Sequence, residues 1–200
     1  MSWIKIISFQ EAQGKLKKLY QKVTGPNNNV DNIMLVHGLR PHTMVGHMAL
    51  YKNVLHNSNN TLPKWYLETI GVYVSMLNKC DYCVQHHYSG LVKLLNNDKQ
   101  ASELKKSLET NNLSLALDQK YAEGLEYAKQ LTLQPSELAE RSIHCLKEKE
   151  FTDGEILEIN QVVSYFNYAN RTVLGLGVSA KGDILGLSPN SSEDDNWNHQ

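Results

Sequence analysis

The stretch from Thr152 to Tyr168 constrains the fold more than any other. Thr152-Asp153-Gly154-Glu155 reads as a capping box, in which threonine and glutamate each satisfy an exposed amide at a helix start. It introduces a long run carrying Ile156, Leu157, Ile159, Val162, Val163, Tyr165, Phe166 and Tyr168. Apolar residues fall around much of the circumference, so this helix must sit at the centre of a core or be buried against another subunit. The rest of the chain has to wrap around it.

The wrapping elements also read as helices. Ser8-Phe9-Gln10-Glu11 is a second capping box, and Ala12, Leu16, Leu19, Tyr20 and Val23 continue at helical spacing until Gly25-Pro26. Ile33 to Leu39 predict a short helix ending before Pro41, which opens another bearing Met44, Val45, Met48, Leu50, Tyr51, Val54 and Leu55. His37, His42, His47 and His56 share no metal-binding spacing and read as structural or surface residues. Asn60 or Thr61 can cap the next helix, with Pro63 in its first turn and an apolar stripe of Leu62, Trp65, Tyr66, Ile70, Tyr73 and Leu77. Glu68 stands off that stripe with Gly71 and Ser75, a polar, small-lined face suited to a cavity wall. Residues 98–110 and 114–132 predict two further helices, and Pro135 begins a short one holding His144 and Cys145. Strand signals are weak and no solenoid period recurs, so the expected fold class is all-α. Residues 1–180 form the expected domain, and Gly, Ser, Asn and Asp from 181 to 200 predict a loosely held tail.

Charge narrows the partners. Twenty basic against 21 acidic residues give a net charge of -1, so no whole-chain field invites nucleic acid or an anionic membrane. The first residues lack the apolar run of a secretion signal, and nowhere do eighteen apolar residues follow one another. A cytoplasmic chain is expected. Thiols stay reduced in that compartment, so paired cysteines there are catalytic or metal-binding before they are structural.

Two of the three cysteines and two of the eight histidines fall within Asn78-Lys79-Cys80-Asp81-Tyr82-Cys83-Val84-Gln85-His86-His87. On a helix, Cys80 and Cys83 lie one turn apart and His87 lies one turn beyond Cys83, forming a single stripe. Such a pair can cycle between dithiol and disulfide. A thiol attacks only as its thiolate, so the proton needs an acceptor. His87 is in reach of Cys83. If Asn78 caps the helix, the positive end of the helix dipole favours Cys80. We assign attack to Cys83 and resolution to Cys80, because a positioned base can also return the proton to a leaving group, which a fixed dipole cannot. An unbroken helix would separate Glu68 from Cys80 by about 18 Å. The carboxylate therefore meets the thiols only if Leu77-Asn78-Lys79 breaks the run. The competing use of these residues is zinc binding by Cys80, Cys83 and His87, for which the sequence supplies no clear fourth ligand.

A glutamate twelve residues before a CxxCxxxH, here Glu68, Cys80, Cys83 and His87, resembles the signature of the AhpD-like, carboxymuconolactone decarboxylase superfamily. Trp3, Val74 to Lys79, His86, Asn170-Arg171 and Leu174-Gly175-Leu176-Gly177 resemble its uncharacterised peroxidase-related branch, over roughly residues 3 to 180. The resemblance implies an all-helical fold whose subunits associate through long apolar helices into a dimer, trimer or hexamer. It also implies thiol peroxidase chemistry without a bound cofactor: Cys83 attacks a hydroperoxide, Cys80 resolves it, and Glu68 and His87 relay protons. Ser75, Asn78, Tyr82 and His86 are supporting candidates. The implied reductant is a lipoyl-bearing or thioredoxin-like dithiol protein. AhpD itself has a histidine just before the second cysteine, where this chain has Tyr82, which can donate a hydrogen bond but is a poor base near neutral pH. Two other readings stay open: a disulfide oxidoreductase with incidental peroxide turnover, and a non-catalytic zinc-binding module.

Overall fold

The computed structural model describes residues 2–188 and residue 199. Among these the regular structure is entirely helical. In chain order it comprises α1 (Gly14–Val23), α2 (Asn32–Leu35), α3 (Pro41–Tyr51), α4 (Lys64–Leu77), α5 (Asp81–Leu95), α6 (Asp98–Glu109), α7 (Gln119–Leu133), α8 (Glu140–Glu148) and α9 (Asp153–Leu176), joined by short 3₁₀ turns. A π turn, Lys52–His56, extends α3.

Helix α9 starts where the capping box places it. Thr152 N donates to Glu155 Oε2 at 2.8 Å, and Glu155 N donates to Thr152 Oγ1 at 3.2 Å. Ile159, Val162, Val163 and Phe166 are fully buried within this chain, so α9 is a core helix rather than one reserved for another subunit. Each such side chain contributes about 1.5–3 kcal/mol over leaving it in water. Leu157, Tyr168 and Leu174 remain exposed on its outer side.

A second central helix is less legible from its sequence. Every residue of α4 from Tyr66 to Ser75 is buried, because α5, α7 and α9 all pack against it. Gly71 makes one of these contacts possible: the ring of Phe166 occupies the place a Cβ would take. The helices α4 and α9 approach there closely enough for the Phe166 ring to lie directly on Gly71.

Five expected helix starts shift, two of them simply later in the chain: α7 begins at Gln119 rather than 114, and the helix holding His144 and Cys145, α8, begins at Glu140 because Pro135–Glu137 closes a separate 3₁₀ turn. The Ser8–Glu11 capping bonds form, with Ser8 N donating to Glu11 Oε2 at 3.0 Å, yet they close an isolated turn and α1 begins only at Gly14. Pro63 itself is the N-cap of α4, because the amides of Thr61 and Leu62 are drawn to the Glu158 carboxylate on α9. Asn78 does not cap the helix after it. It closes α4, Lys79 takes the left-handed conformation (φ 56°), and Cys80 is the N-cap of α5. The Asn78 side chain is spoken for: its Nδ2 donates to Asn167 and Asn170 of α9, which anchors the turn and leaves the unusual backbone angle to exposed Lys79.

The C-terminal segment also departs from expectation. Residues 181–188 dock rather than hang loosely: Asn32 N donates to the Asp183 carboxylate, Asn29 Nδ2 to Gly182 O at 3.0 Å, and Lys93 Nζ to Gly186 O at 2.7 Å. Scattered polar residues read as a disordered composition, but here the Asp183 carboxylate and the Lys181, Gly182 and Gly186 carbonyls meet specific partners. The remainder of that expected tail, residues 189–198 and 200, lies outside the described residues.

Candidate active site

The three-residue break between α4 and α5 folds the two helices back on each other, which carries Glu68 from one turn into α4 to the middle of α5. Glu68 Oε2 and His87 Nδ1 are 2.8 Å apart, and both side chains are largely buried. A carboxylate only accepts, so Nδ1 carries the hydrogen and Nε2 is left as the ring's lone-pair nitrogen. The ring is held edge-on against Phe166, with centroids 4.5 Å apart. Thus Gly71, Phe166 and His87 form one packing chain from α4 through α9 to α5.

The cysteine sulfurs lie 3.0 Å apart as free thiols, one donating to the other. They sit in a separate apolar cluster with Val36, Tyr82, Val173 and Val178. Two thiols at this distance share one proton, so the first ionises readily and the second resists. Cys80 is the lowered one: once ionised it can accept the Cys83 thiol hydrogen, and the Cys83 amide at the start of α5 adds to this against the opposing effect of burial. Cys83 is pushed well up by the same hydrogen bond and by burial, with the Asn170 amide partly offsetting both. Cys80 is therefore the readier thiolate, chiefly through its partner thiol; the dipole argument assumed an Asn78 cap, and the cap is Cys80 itself. Access favours Cys83: both sulfurs are buried, but only Cys83 lines a cavity.

That cavity holds about 230 Å³ and is lined by Cys83, Glu68 and His87 together. Tyr51, largely buried, is a hub of the wall, with His56, Tyr165 and His87 ring centroids 4.7, 5.7 and 6.4 Å away. The site thus contains both sulfurs, the His87 imidazole and the carboxylate hydrogen-bonded to it. Among the described residues no group of three or more His, Cys, Asp or Glu is arranged to hold a metal ion.

The supporting candidates divide into two groups. Ser75 and Asn78 position Asn170: Asn170 Nδ2 donates to Ser75 Oγ at 3.1 Å, and Asn78 Nδ2 donates to Asn170 Oδ1 at 2.9 Å. Tyr82 and His86 instead meet the C-terminal segment. Tyr82 donates to Asp183 Oδ2 at 2.7 Å and accepts from Ile33 N at 3.2 Å, while His86 Nε2 lies 3.2 Å from the same carboxylate without hydrogen-bond geometry. Tyr82 is therefore an anchor, and burial and the adjoining Asp183 push its phenol far above the ordinary range.

Three residues of the site do not stand out in the sequence: His47, His56 and Asp31. Asn170, marked there only by the resemblance, is a fully buried amide on α9. His47 shares the helical face of Met44, Met48 and Tyr51, and burial lowers it to about 3, with His37 adding. Burial likewise lowers His56 to about 4, opposed by Glu68. Asp31, largely buried, is pushed up to about 6 chiefly by desolvation, with Asp183 adding and His86 opposing.

The Asp31 shift carries a stability consequence. Its folded value exceeds the unfolded one of 3.8, so the folded state binds the proton more tightly, and this contribution is full below about 4 and lost as pH rises through about 6. Asp31→Asn keeps the backbone carbonyl that receives Met34 N and Leu35 N. The variant is expected to match the parent at pH 4 and to exceed it by about 1–3 kcal/mol at pH 8. Urea unfolding at the two pH values measures this, and an equal gap at both would show that the charge is not responsible.

No family model matches the chain, and no curated protein matches it by sequence. Solved structures do. The AhpD-core, peroxidase-related protein from Ralstonia eutropha JMP134 superposes with a TM-score of 0.78 at 21% identity, covering 91% of this chain and 93% of that one. An uncharacterized peroxidase-related protein from Silicibacter sp. TM1040 gives 0.71 at 22% identity, covering 90% of each. The debrominase Bmp8, as a cysteine-to-alanine variant in complex with 2,3,4-tribromopyrrole, gives 0.71 at 15% identity, covering 91% and 95%. The chain has the fold of the AhpD core, the fold its CxxCxxxH signature resembles.

Proposed function

We propose that the protein is a thiol-dependent peroxidase in which Cys83 reduces a hydroperoxide and Cys80 resolves the product to a disulfide. The observation that carries this reading is the buried cavity that brings Cys83, Glu68 and His87 together, with Cys80 3.0 Å behind Cys83. The Cys83 proton first moves to the Cys80 thiolate, an S-to-S transfer along an existing hydrogen bond. The Cys83 thiolate then attacks the nearer peroxide oxygen, the O–O bond breaks, and the departing alkoxide takes, by way of His87 Nε2, the proton that Cys80 received, so that it leaves as an alcohol and Cys80 is again a thiolate. Cys80 attacks the resulting sulfenic acid, releasing water and forming the disulfide. Glu68 holds the His87 ring so that its Nε2 can accept and return protons during these steps.

Burial also bears on the reductant. Cys80 and Cys83 are 0% and 3% exposed, so a folded protein cannot present its own cysteines to them directly. A slender lipoyl arm entering the cavity meets that constraint better than a thioredoxin-like surface does, and protein disulfides are disfavoured as substrates on the same ground. The reading includes a cytoplasmic setting, which keeps the pair reduced, and a homo-oligomer, for which exposed Leu157 and Tyr168 on one side of α9 supply apolar surface. No described helix is long and apolar enough to cross a membrane.

A second reading takes the same sulfur pair to a halogenated ring. It is favoured by the ring-lined cavity and by the bound tribromopyrrole of Bmp8. Cys83 would take the halogen from the ring, a proton would replace it, and Cys80 would expel halide as the disulfide forms. One experiment separates the readings: the reduced protein, analysed for zinc, is treated with one equivalent of tert-butyl hydroperoxide or of a brominated pyrrole. The peroxidase reading expects prompt loss of two thiols and two hydrogens of mass with the hydroperoxide. Bromide release with only the pyrrole reacting would replace it, and thiols that persist around stoichiometric zinc would favour the binding module.

A further inference from the structure

We infer that Tyr165, held by His47, is a further catalytic residue: its hydroxyl donates a hydrogen bond to the oxygen expelled when Cys83 attacks. The inference rests on the peroxidase reading and adds a role for a side chain that neither the motif nor its flanks include.

Tyr165 lies on the inner face of α9, one residue before the Phe166 that supports His87, and it lines the same cavity as Cys83, Glu68 and His87. Its ring is 4% exposed and packs against Tyr51 and Phe166, so its direction is set by the core. Cys83 and Glu68 both act electrostatically on the phenol, and burial above all holds it far above its ordinary range. The hydroxyl therefore keeps its proton wherever the protein works. It is a donor that does not titrate.

What that proton points at depends on His47. Tyr165 Oη and His47 Nε2 are 3.2 Å apart, and His47 Nδ1 is buried with no hydrogen-bond partner. Burial keeps this imidazole neutral, so one nitrogen carries the hydrogen and the other a lone pair. A buried N–H without an acceptor is rarer in folded proteins than an under-satisfied acceptor. The better tautomer therefore places the hydrogen on Nε2, where it donates to the tyrosine oxygen. That leaves the Tyr165 O–H free to face the cavity. His47 acts through Tyr165 and is a positioning residue.

The chemistry calls for such a group. Breaking the O–O bond places a full negative charge on the departing oxygen, inside a cavity walled largely by buried rings that offer it little solvation. A donor fixed before the reaction stabilises that charge without reorganising. Tyr165 supplies the hydrogen bond, and the proton itself arrives from the His87 side, so the phenol need not ionise.

The test compares leaving groups. Rates of thiol oxidation in the reduced protein are measured with tert-butyl hydroperoxide, which expels a strongly basic alkoxide, and with peracetic acid, which expels a stable carboxylate. Alkylation by iodoacetamide, which expels no oxygen, reports the thiolate. Tyr165→Phe is expected to slow the alkyl hydroperoxide roughly 10- to 100-fold, at the lower edge of what removing one oxyanion donor does. Peracetic acid should slow less than about threefold, since the charge it expels needs little stabilisation. His47→Phe should show the same selective loss, and His47→Gln, which retains an N–H, should recover part of it. Equal slowing of both peroxides and of alkylation, or no slowing at all, overturns the assignment. If Tyr165→Phe fails to fold, the His47 pair decides by the same ratio. A wild-type protein that alkylates but consumes neither peroxide defeats the peroxidase reading and this inference with it, whereas an active wild type with unselective variants defeats this inference alone.

Discussion

Cys83→Ser is expected to lower hydroperoxide consumption about 10³-fold or more, the scale on which nucleophile replacements act. Cys80→Ser should behave differently. With the cavity-lining sulfur intact it still reduces one equivalent of peroxide, but the sulfenic acid on Cys83 then has no neighbour to capture it. A dimedone adduct at Cys83 should accumulate in that variant, and turnover with a dithiol reductant should fall to a small fraction. The structure gives this experiment a sharp alternative, because Cys80 is the thiol that ionises more readily and Cys83 the one that resists. Were ionisation rather than access decisive, the adduct would form at Cys80 in Cys83→Ser. Cys80 is fully buried and outside the cavity lining, which is why we expect the first result.

Glu68→Gln should reduce kcat/KM for hydroperoxide by about 10²-fold, within the range found for a positioned acid or base. His87→Asn should cost as much or more. The informative measurement is the double variant. Glu68 lines the cavity too, but in the proposed mechanism it acts through the 2.8 Å bond to His87, so once the ring is gone the carboxylate has nothing left to orient. The double variant is therefore expected to resemble His87→Asn alone, as groups that act as a unit do. Losses that add in log rate would mean that Glu68 acts on the substrate directly. Thermal melts of all three variants control for the burial of these side chains.

Much of this site is legible in the sequence because the motif is local. Cys80, Cys83 and His87 fall on successive turns, so any helical reading brings them to one stripe, and the structure keeps them there with Cys80 as the cap. Glu68 is half legible. Its place off the apolar stripe marks a cavity wall, but its meeting with His87 requires the chain to reverse between Leu77 and Asp81, and the left-handed residue that permits this is Lys79, not the asparagine beside it. Tyr82 differs in kind from its sequence reading. A weak base in a histidine's position by sequence, it is in the structure an anchor for Asp183, a residue one hundred and one positions away in a segment whose composition suggests disorder. His47 and His56 have no local signal to set them apart, since a histidine on an apolar face reads the same whether it faces packed side chains or a cavity.

The sequence by itself determined the helical class, the centrality of α9, the cysteine pair and the histidine one turn beyond it. These follow from periodicity and from groups within two helical turns, where backbone geometry alone decides who meets whom. The tertiary structure decided which sulfur faces the cavity, which carboxylate holds the histidine, and that the C-terminal segment closes over the CxxC helix. Those outcomes depend on contacts between residues far apart in the chain. Such contacts arise only when α4, α5 and α9 pack together and withdraw each polar group from water toward the partner that can satisfy it.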